Sequence, residues 1–316
     1  MHDATGKLCL RFFLTFLAGV AAATAQTYGY VSNTMGNTVS VVNLATNSIY
    51  KTITISGAGL TGLAVMPDGA YVYVTEESKN CVAIVSTASY SVVDTVSVGS
   101  GPVQVVFTPN GEWAYVLNEL SNNVSVINTA TKAVVSTIPV GTRPTGIAAT
   151  PDGTRILVTN ILSSTISVIS TDSNTVTATW KGFDGPGAIA VYGNNVYVAN
   201  QYNNSLTVQN LATGSTLSTI TGFSGPSAVA VTPNGSQIYV ANGSSSLVWA
   251  INASSLAIEA KIPVGLIPTA VAISSNGATA YVTNAYGSSI TEVNTSNNTV
   301  NDTIPEVGAY PFSVAL

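Results

Sequence analysis

The chain has 316 residues, a formal net charge of −5 and only 7% charged residues, against about 25% in an average soluble protein. An acidic balance without any Lys/Arg cluster argues against duplex nucleic acid as a partner, because phosphate binding needs a basic surface. Hydrophobic residues make up 46% of the chain, but beyond the N-terminus they come in short runs. No run approaches the ~20 residues of a membrane span, so none is expected in the mature chain.

The first 25 residues have the features of a secretory signal peptide. Lys7 and Arg11 supply positive charge, Phe12 to Val20 form a short apolar stretch, and Ala23-Thr24-Ala25 matches an A-x-A cleavage site. We therefore expect residues 1–25 to be removed and residues 26–316 to form one domain that is secreted, periplasmic or displayed at the cell surface. Retention of the segment as an N-terminal membrane anchor is the alternative.

Cysteine and histidine are too scarce for several kinds of chemistry. Cys9 and His2 lie in the signal segment, which leaves Cys81 alone in the mature chain. No internal disulfide can then form, and Ser-His-Asp and Cys-His catalysis are excluded together with His-ligated metals. Carboxylate acid–base chemistry is the enzymatic option that remains.

A tyrosine-valine motif recurs seven times after the signal segment, with spacings of 43, 42, 42, 40, 42 and 42 residues. Its copies are Tyr30-Val31-Ser32-Asn33, Tyr73-Val74-Thr75-Glu76, Tyr115-Val116-Leu117-Asn118, Leu157-Val158-Thr159-Asn160, Tyr197-Val198-Ala199-Asn200, Tyr239-Val240-Ala241-Asn242 and Tyr281-Val282-Thr283-Asn284. A period near 42 residues is typical of propeller blades.

Each copy predicts four short strands, as residues 144–180 illustrate. A small-residue strand from Pro144 to Thr150 ends at a Pro-Asp-Gly turn, and strands follow at 156–159, 165–169 and 175–180. The alternation of Thr165 to Ile169 predicts a half-buried strand. Small residues suit the first strand of each copy, because innermost strands converge on the propeller axis.

The two ends of the chain predict how the ring closes. The mature chain begins at a second strand, before Tyr30, and stops at an inner strand, Pro311 to Leu316. The sequence therefore predicts an all-β, seven-bladed β-propeller of four-stranded antiparallel blades, closed by pairing of the C-terminal strand with the N-terminal blade.

These elements resemble the YVTN-repeat β-propeller family of surface-layer and exported proteins. The resemblance rests on the Y-V-x-N motif, on Val124-Ser125-Val126-Ile127-Asn128, on Thr137-Ile138-Pro139-Val140-Gly141 and on the Pro144 to Gly153 segment, and it covers residues 28–316. It implies a WD40-like propeller and a cell-surface or extracellular setting. It does not specify an activity, since similar propellers also include enzymes.

Candidate functional residues fall in the loops expected on one face, namely those from the second to the third strand and those between blades. Loops on a rigid scaffold commonly carry function. Five charged and three aromatic residues are candidates there: Glu76, Glu77, Glu119, Arg143, Asp184, Tyr202, Tyr286 and Tyr310. The acidic group could bind a divalent cation through oxygen ligands or be ordinary loop charge, and the tyrosines could stack on a ligand or pack on neighbouring loops.

The repeated Asn of the motif opens the same face. It could form a ring of amides around the channel mouth, or it could cap the turn and tolerate an unusual φ, as Asn often does. We expect the second role.

We expect a non-enzymatic, exported or cell-surface scaffold, a monomer without a cofactor, that binds an envelope protein, a peptide or a glycan. One alternative is a hydrolase, lyase or metal-dependent enzyme that uses the carboxylates of this face. The other is a structural component of a surface layer.

Signal cleavage gives a first testable prediction. The exported protein should begin at Gln26, because the A-x-A site ends at Ala25. Intact-mass spectrometry of protein from the exported fraction measures this directly. A mass that retains residues 1–25 in a membrane fraction would instead indicate an anchor.

Overall fold

The computed structural model describes residues 28–57 and 59–316, which form seven four-stranded antiparallel sheets and no α-helix. The predicted all-β, seven-bladed propeller is confirmed. The proposed signal segment lies outside the described residues. No helix in the described part of the chain is long and apolar enough to cross a membrane.

Strands are numbered in chain order and blades from the N-terminus, and each blade is given from the axis outward. Blades one to four contain β28 (Pro311–Ala315), β1 (Tyr28–Asn33), β2 (Thr38–Asn43), β3 (Ser48–Thr54); β4 (Leu60–Val65), β5 (Tyr71–Glu76), β6 (Cys81–Ser86), β7 (Ser91–Ser97); β8 (Pro102–Phe107), β9 (Trp113–Asn118), β10 (Asn123–Asn128), β11 (Ala133–Pro139); and β12 (Pro144–Ala149), β13 (Arg155–Asn160), β14 (Thr165–Ser170), β15 (Thr175–Lys181).

Blades five to seven follow the same order. They contain β16 (Pro186–Tyr192), β17 (Asn195–Asn200), β18 (Ser205–Asn210), β19 (Thr216–Thr221); β20 (Pro226–Val231), β21 (Gln237–Asn242), β22 (Leu247–Asn252), β23 (Ile258–Pro263); and β24 (Pro268–Ile273), β25 (Thr279–Asn284), β26 (Ser289–Asn294), β27 (Thr299–Ile304). The helical content of the described residues is one 3₁₀ turn, Glu77–Lys79.

Burial depends on distance from the axis within a blade. The second and third strands, such as β13 and β14, are buried almost throughout, whereas the outer strand β15 is mostly exposed. The prediction of a half-buried strand at Thr165 to Ile169 was therefore wrong. Neighbouring blades cover both faces of β14, and its polar Ser167 is buried rather than solvated.

The ring closes where the sequence predicted. β28 pairs antiparallel with β1, with Val31 opposite Val314, so the two ends of the chain complete blade one together. A cluster of buried residues from blades seven and one lies behind this junction, including Val31, Tyr281 and Ile304. Cys81 is a buried free thiol, so strand pairing and packing hold the closure.

Hydrogen bonds between blades link the inner strands around the axis. Hydroxyl groups donate to proline carbonyls of the next blade at four junctions: Thr61 to Pro102 (3.0 Å), Thr145 to Pro186 (3.3 Å), Ser227 to Pro268 (2.7 Å) and Thr269 to Pro311 (3.1 Å). The inner strands approach closely at Gly146, where a Cβ atom would lie 2.2 Å from the Gly187 carbonyl oxygen. This contact explains the small residues expected at the axis.

The motif tyrosines pack between blades and connect each blade to the next. Tyr115 is fully buried, and its hydroxyl donates to Asn174 Oδ1 at 2.7 Å, in a turn of the following blade. Burial raises the pKa of Tyr30, Tyr73 and Tyr115 to about 12. These side chains therefore stay neutral in the folded protein at pH values where unfolded tyrosines ionise.

Stability should consequently fall at alkaline pH. A tyrosine with a pKa near 10 when unfolded and about 12 when folded contributes fully below pH 10 and loses its contribution as pH rises to about 12. This amounts to about 2.7 kcal/mol per tyrosine. Tyr115→Phe should lower stability at pH 7 by about 1 kcal/mol and make the alkaline decline shallower, as measured by urea unfolding at pH 8 to 11.

Val116→Ala is the matched control for this measurement. It opens a cavity beside Tyr115 in the same buried strand but removes no ionisable group, so it should lower stability equally at every pH. A decline of the same steepness in Tyr115→Phe and Val116→Ala would show that Tyr115 does not drive the pH dependence.

Candidate binding face

The loops that carry the candidate residues lie on one face, which we call the top face. It is formed by the loops from the second to the third strand of each blade and by the loops between blades. The two loops of a blade are joined by backbone hydrogen bonds, for example from Ile161 N to Arg143 O (3.1 Å) and from Ala285 N to Ile267 O (2.9 Å). Side chains from both loops are therefore brought together above each blade.

The motif Asn side chains are buried and do not form an exposed ring of amides. Asn160 Nδ2 donates to Thr165 Oγ1 (3.2 Å) and to Ser167 Oγ (3.0 Å), so it joins the second strand to the third. Gly141 lies against this amide, where a Cβ atom would come within 2.6 Å of Asn160 Cγ. The Asn therefore has a structural role, as expected. It does not supply the left-handed residue of the turn, which is Ser164, with φ of 54°.

Blade two replaces this amide with a carboxylate. Glu76 is buried above Gly57, and its Oε2 atom lies 3.7 Å from the Nζ atom of the exposed Lys79. Burial and the neighbouring Glu76 raise the pKa of the Cys81 thiol to about 11. Glu76 therefore belongs to the blade interior rather than to an exposed acidic surface, and Glu77 begins the adjoining 3₁₀ turn as a half-buried residue.

Glu119 and Arg143 form an ion pair at the mouth of the central channel. Arg143 Nε lies 2.5 Å from Glu119 Oε1, and this hydrogen bond raises the pKa of Arg143. Glu119 also lines a cavity of about 210 Å³ together with the uncharged polar side chains of Gln104, Gln201 and Thr145. Because Arg143 neutralises it, Glu119 is not a free carboxylate on this face.

The other predicted residues fall into two groups. Asp184 is exposed in the loop that enters blade five, where its carbonyl accepts a hydrogen bond from Tyr202 N (3.3 Å). On the opposite side of the ring, the exposed Tyr286 meets Tyr310 edge to face, with ring centroids 5.4 Å apart. The structure therefore does not bring all eight candidates into one site.

No group of three or more His, Cys, Asp or Glu side chains suited to a metal ion occurs among residues 28–57 and 59–316. Of the predicted acidic residues, Glu76 and Glu77 of blade two lie nearest to each other, since they are adjacent in the chain. Lys79 and Arg143 accompany the carboxylates of blades two and three.

The residue before each inner strand has a left-handed backbone in every blade. Four of these positions are glycine, as expected for positive φ, and three are Arg143, Ile267 and Tyr310, with φ of 54°, 53° and 60°. A non-glycine residue in this conformation costs about 1–2 kcal/mol. Three large side chains are thus held on the top face at a cost in backbone strain.

The sequence interpretation named Tyr202 and Tyr286 but missed the aliphatic side chains that are exposed on the same face. Seven large apolar side chains, which we call the apolar rim, are exposed on these loops: Met35, Leu120, Leu162, Tyr202, Leu266, Ile267 and Tyr286. Met35 is 69% exposed and Leu120 65% exposed. Their repeat position gives a signal in the sequence, because Met35, Leu120, Leu162, Tyr202 and Tyr286 each lie two residues after the motif Asn.

Solved structures that share this fold include the following three. Hydrazine synthase from Kuenenia stuttgartiensis aligns with a TM-score of 0.79 and 19% identity over 86% of this chain and 93% of that chain. A functionally unknown protein from Desulfotomaculum acetoxidans aligns with a TM-score of 0.79 and 20% identity, over 90% and 98%. A putative 6-phosphogluconolactonase from Bacteroides uniformis aligns with a TM-score of 0.74 and 18% identity, over 92% and 99%. At these identities the likeness shows the fold alone.

A comparison with curated proteins finds no significant match. The family described as "Lactonase, 7-bladed beta-propeller" matches residues 85–248, from the end of β6 into β22. This match covers about half of the chain and runs through whole blades three to five. The chain belongs to the lactonase family of seven-bladed β-propellers.

Proposed function

We propose that this propeller is an exported, non-enzymatic scaffold whose top face binds a protein of the cell envelope. The observation that carries the proposal is the apolar rim, with seven large apolar side chains exposed on the loops of one face. Exposed apolar patches on soluble proteins commonly mark interaction sites. Export is supported by the Ala23-Thr24-Ala25 motif.

The composition of the rim favours a protein over a glycan. Leu120, Leu162, Leu266, Ile267 and Met35 are aliphatic or thioether side chains, which lack the flat faces that stack on sugar rings. Methionine and tyrosine are enriched in protein interfaces, whereas charged residues are depleted at interface cores. A peptide segment of an envelope protein would bury such a surface well.

Backbone strain is a second support. Ile267 and Tyr310 occupy left-handed positions directly before Pro268 and Pro311, where other blades use glycine. Strain at a surface position suggests a role for the side chain. Neither side chain is required to make the turn, since Gly101, Gly185 and Gly225 make the same turn in other blades.

Replacement of a strained residue gives a stability prediction. Ile267→Gly should leave the free energy of unfolding unchanged or raise it by about 1 kcal/mol, because glycine adopts positive φ without steric cost. Leu266→Gly, at the neighbouring exposed position without positive φ, should lower it by up to about 1 kcal/mol. Thermal and urea unfolding of both variants provide the measurement. A loss of more than 1 kcal/mol in Ile267→Gly would show that this side chain stabilises the fold.

The same substitutions test the binding proposal without damage to the fold. In-cell crosslinking followed by mass spectrometry should place crosslinks from an envelope protein on the top-face loops of the wild-type protein. The double variant Ile267→Gly, Tyr310→Gly should lose most of these crosslinks, because both residues lie on that face. The control Val92→Thr, Val135→Thr removes exposed apolar groups from the outer strands β7 and β11 and should retain them.

Two outcomes would replace this proposal. Crosslinks to another copy of the same chain would favour a structural surface-layer role.

A hydrolase centred on the channel mouth is the second candidate function, favoured by membership of the lactonase family and by Glu119 at the cavity. Hydrolysis of a lactone by the wild-type protein, followed by NMR and abolished in Glu119→Gln, would favour that activity.

A further inference from the structure

The face opposite the top face carries a repeated contact between neighbouring blades. A motif tyrosine of one blade points at the turn between the third and fourth strands of the next. Tyr115 donates to Asn174 Oδ1 at 2.7 Å, and Tyr239 donates to Asn298 Oδ1 at 2.6 Å. Both asparagines have left-handed φ, 52° and 58°, which Asn tolerates well. In these junctions the asparagine amide satisfies the tyrosine hydroxyl.

The junction of blades one and two departs from this arrangement. Tyr90 takes the turn position that Asn174 and Asn298 hold elsewhere, with φ of 53°. Among the described residues, the Tyr30 hydroxyl makes no hydrogen bond of the kind that Tyr115 and Tyr239 make. Lys132 and Leu256 are also left-handed at this position in blades three and six, so the backbone conformation is not peculiar to Tyr90. What distinguishes Tyr90 is an aromatic ring that lines a cavity.

A cavity of about 550 Å³ opens at this junction, and we call it the tyrosine pocket. The residues that line it include Tyr28, Tyr30, Asp68 and Tyr90. Tyr50 supports it from the outer strand, with its ring centroid 4.9 Å from that of Tyr28 and 5.5 Å from that of Tyr90. Four tyrosine rings from two strands, β1 and β3, and one turn therefore lie close together at the junction of blades one and two.

The chemistry of this lining selects for a cation. Aromatic faces attract positive charge through their quadrupole, and Asp68 adds a carboxylate at the exposed edge of the cavity. Asp68 Oδ1 accepts a hydrogen bond from Ala70 N at 2.9 Å, while neither Lys nor Arg lines the cavity. Asp68 is the single carboxylate among the lining residues, which disfavours a small, strongly hydrated metal ion that needs several oxygen ligands. The tyrosine rings instead suit a cation whose charge is spread over methyl groups.

We propose that the tyrosine pocket binds a trimethylammonium group. The rings of Tyr28, Tyr30 and Tyr90 contact the methyl groups, and Asp68 provides the electrostatic attraction. This site lies on the face opposite the top face, so the test of choline binding does not depend on the proposed scaffold function. Aromatic cages of this kind are a known means of recognising quaternary ammonium compounds.

Ligand-observed NMR titration at constant ionic strength tests the proposal, with choline as the probe and its neutral isostere 3,3-dimethylbutan-1-ol as the matched control. The two molecules share shape and apolar area but differ in charge. We expect choline to bind at least about fivefold more tightly, the factor that corresponds to one favourable cation–π contact. Equal affinity for the two probes would overturn the proposal, because the pocket would then be only apolar.

Two variants assign the binding to this pocket. Tyr90→Asn introduces the residue that blades one, four and seven hold at this turn. The variant should fold normally, form with Tyr30 the contact that Asn174 forms with Tyr115, and lose choline binding. Asp68→Asn keeps the turn, as Asn110 and Asn234 do in blades three and six. It should weaken choline severalfold and leave the isostere unchanged. Unaltered choline affinity in either folded variant would refute the assignment.

The source of the group is tested in a separate arm. Sedimentation with phosphatidylcholine vesicles, in the presence and absence of excess choline, distinguishes a lipid headgroup from a soluble compound. Choline-sensitive sedimentation that disappears in Tyr90→Asn identifies the headgroup as the source. Binding of free choline without sedimentation identifies a soluble ligand, and absence of both contradicts the proposal.

Discussion

The pairing of β28 with β1 is the interaction on which the rest of the structure depends. Each blade covers its two apolar faces with its neighbours, so an open ring would expose a face of blade one and a face of blade seven. Residues far apart in sequence, such as Val31 and Val314, meet in this pairing. The entropy of closing a long loop grows only slowly with its length, so packing between blades seven and one can offset it. The buried cluster around Tyr281 and Ile304 provides that packing.

Much of this fold could be predicted because seven copies of the repeat show the same pattern of strand and turn residues. The spacing of the tyrosine motif gave the blade count, the turn residues gave the strand ends, and the composition of the chain ends gave the closure. The solvent exposure of single strands could not be read in the same way. The alternation in Thr165 to Ile169 looked like one solvated face, but Ser167 is polar because Asn160 donates to it inside the blade.

The candidate sites were harder to predict because they depend on which loops meet in space. Glu76 looked like an exposed acid in a loop, but it occupies the buried amide position of its blade. The tyrosine pocket unites Tyr28, Asp68 and Tyr90, which come from two blades and share no local motif. The apolar rim is different, since the position two residues after each motif Asn is visible in the sequence. Its aliphatic members were missed because isolated exposed Leu and Met residues are ordinary on protein surfaces.

The left-handed residue before each inner strand has a consequence for how this surface can change over time. The turn is fixed by hydrogen bonds from its backbone, such as those that Arg143 N donates to Asn122 Oδ1 and Gly225 N donates to Asn204 Oδ1. Glycine, arginine, isoleucine and tyrosine all occupy this position with nearly the same φ. The backbone conformation of a blade therefore does not depend on which side chain occupies this position. Substitution at this position can therefore change the surface one blade at a time, and each step costs only local strain while the ring itself remains intact.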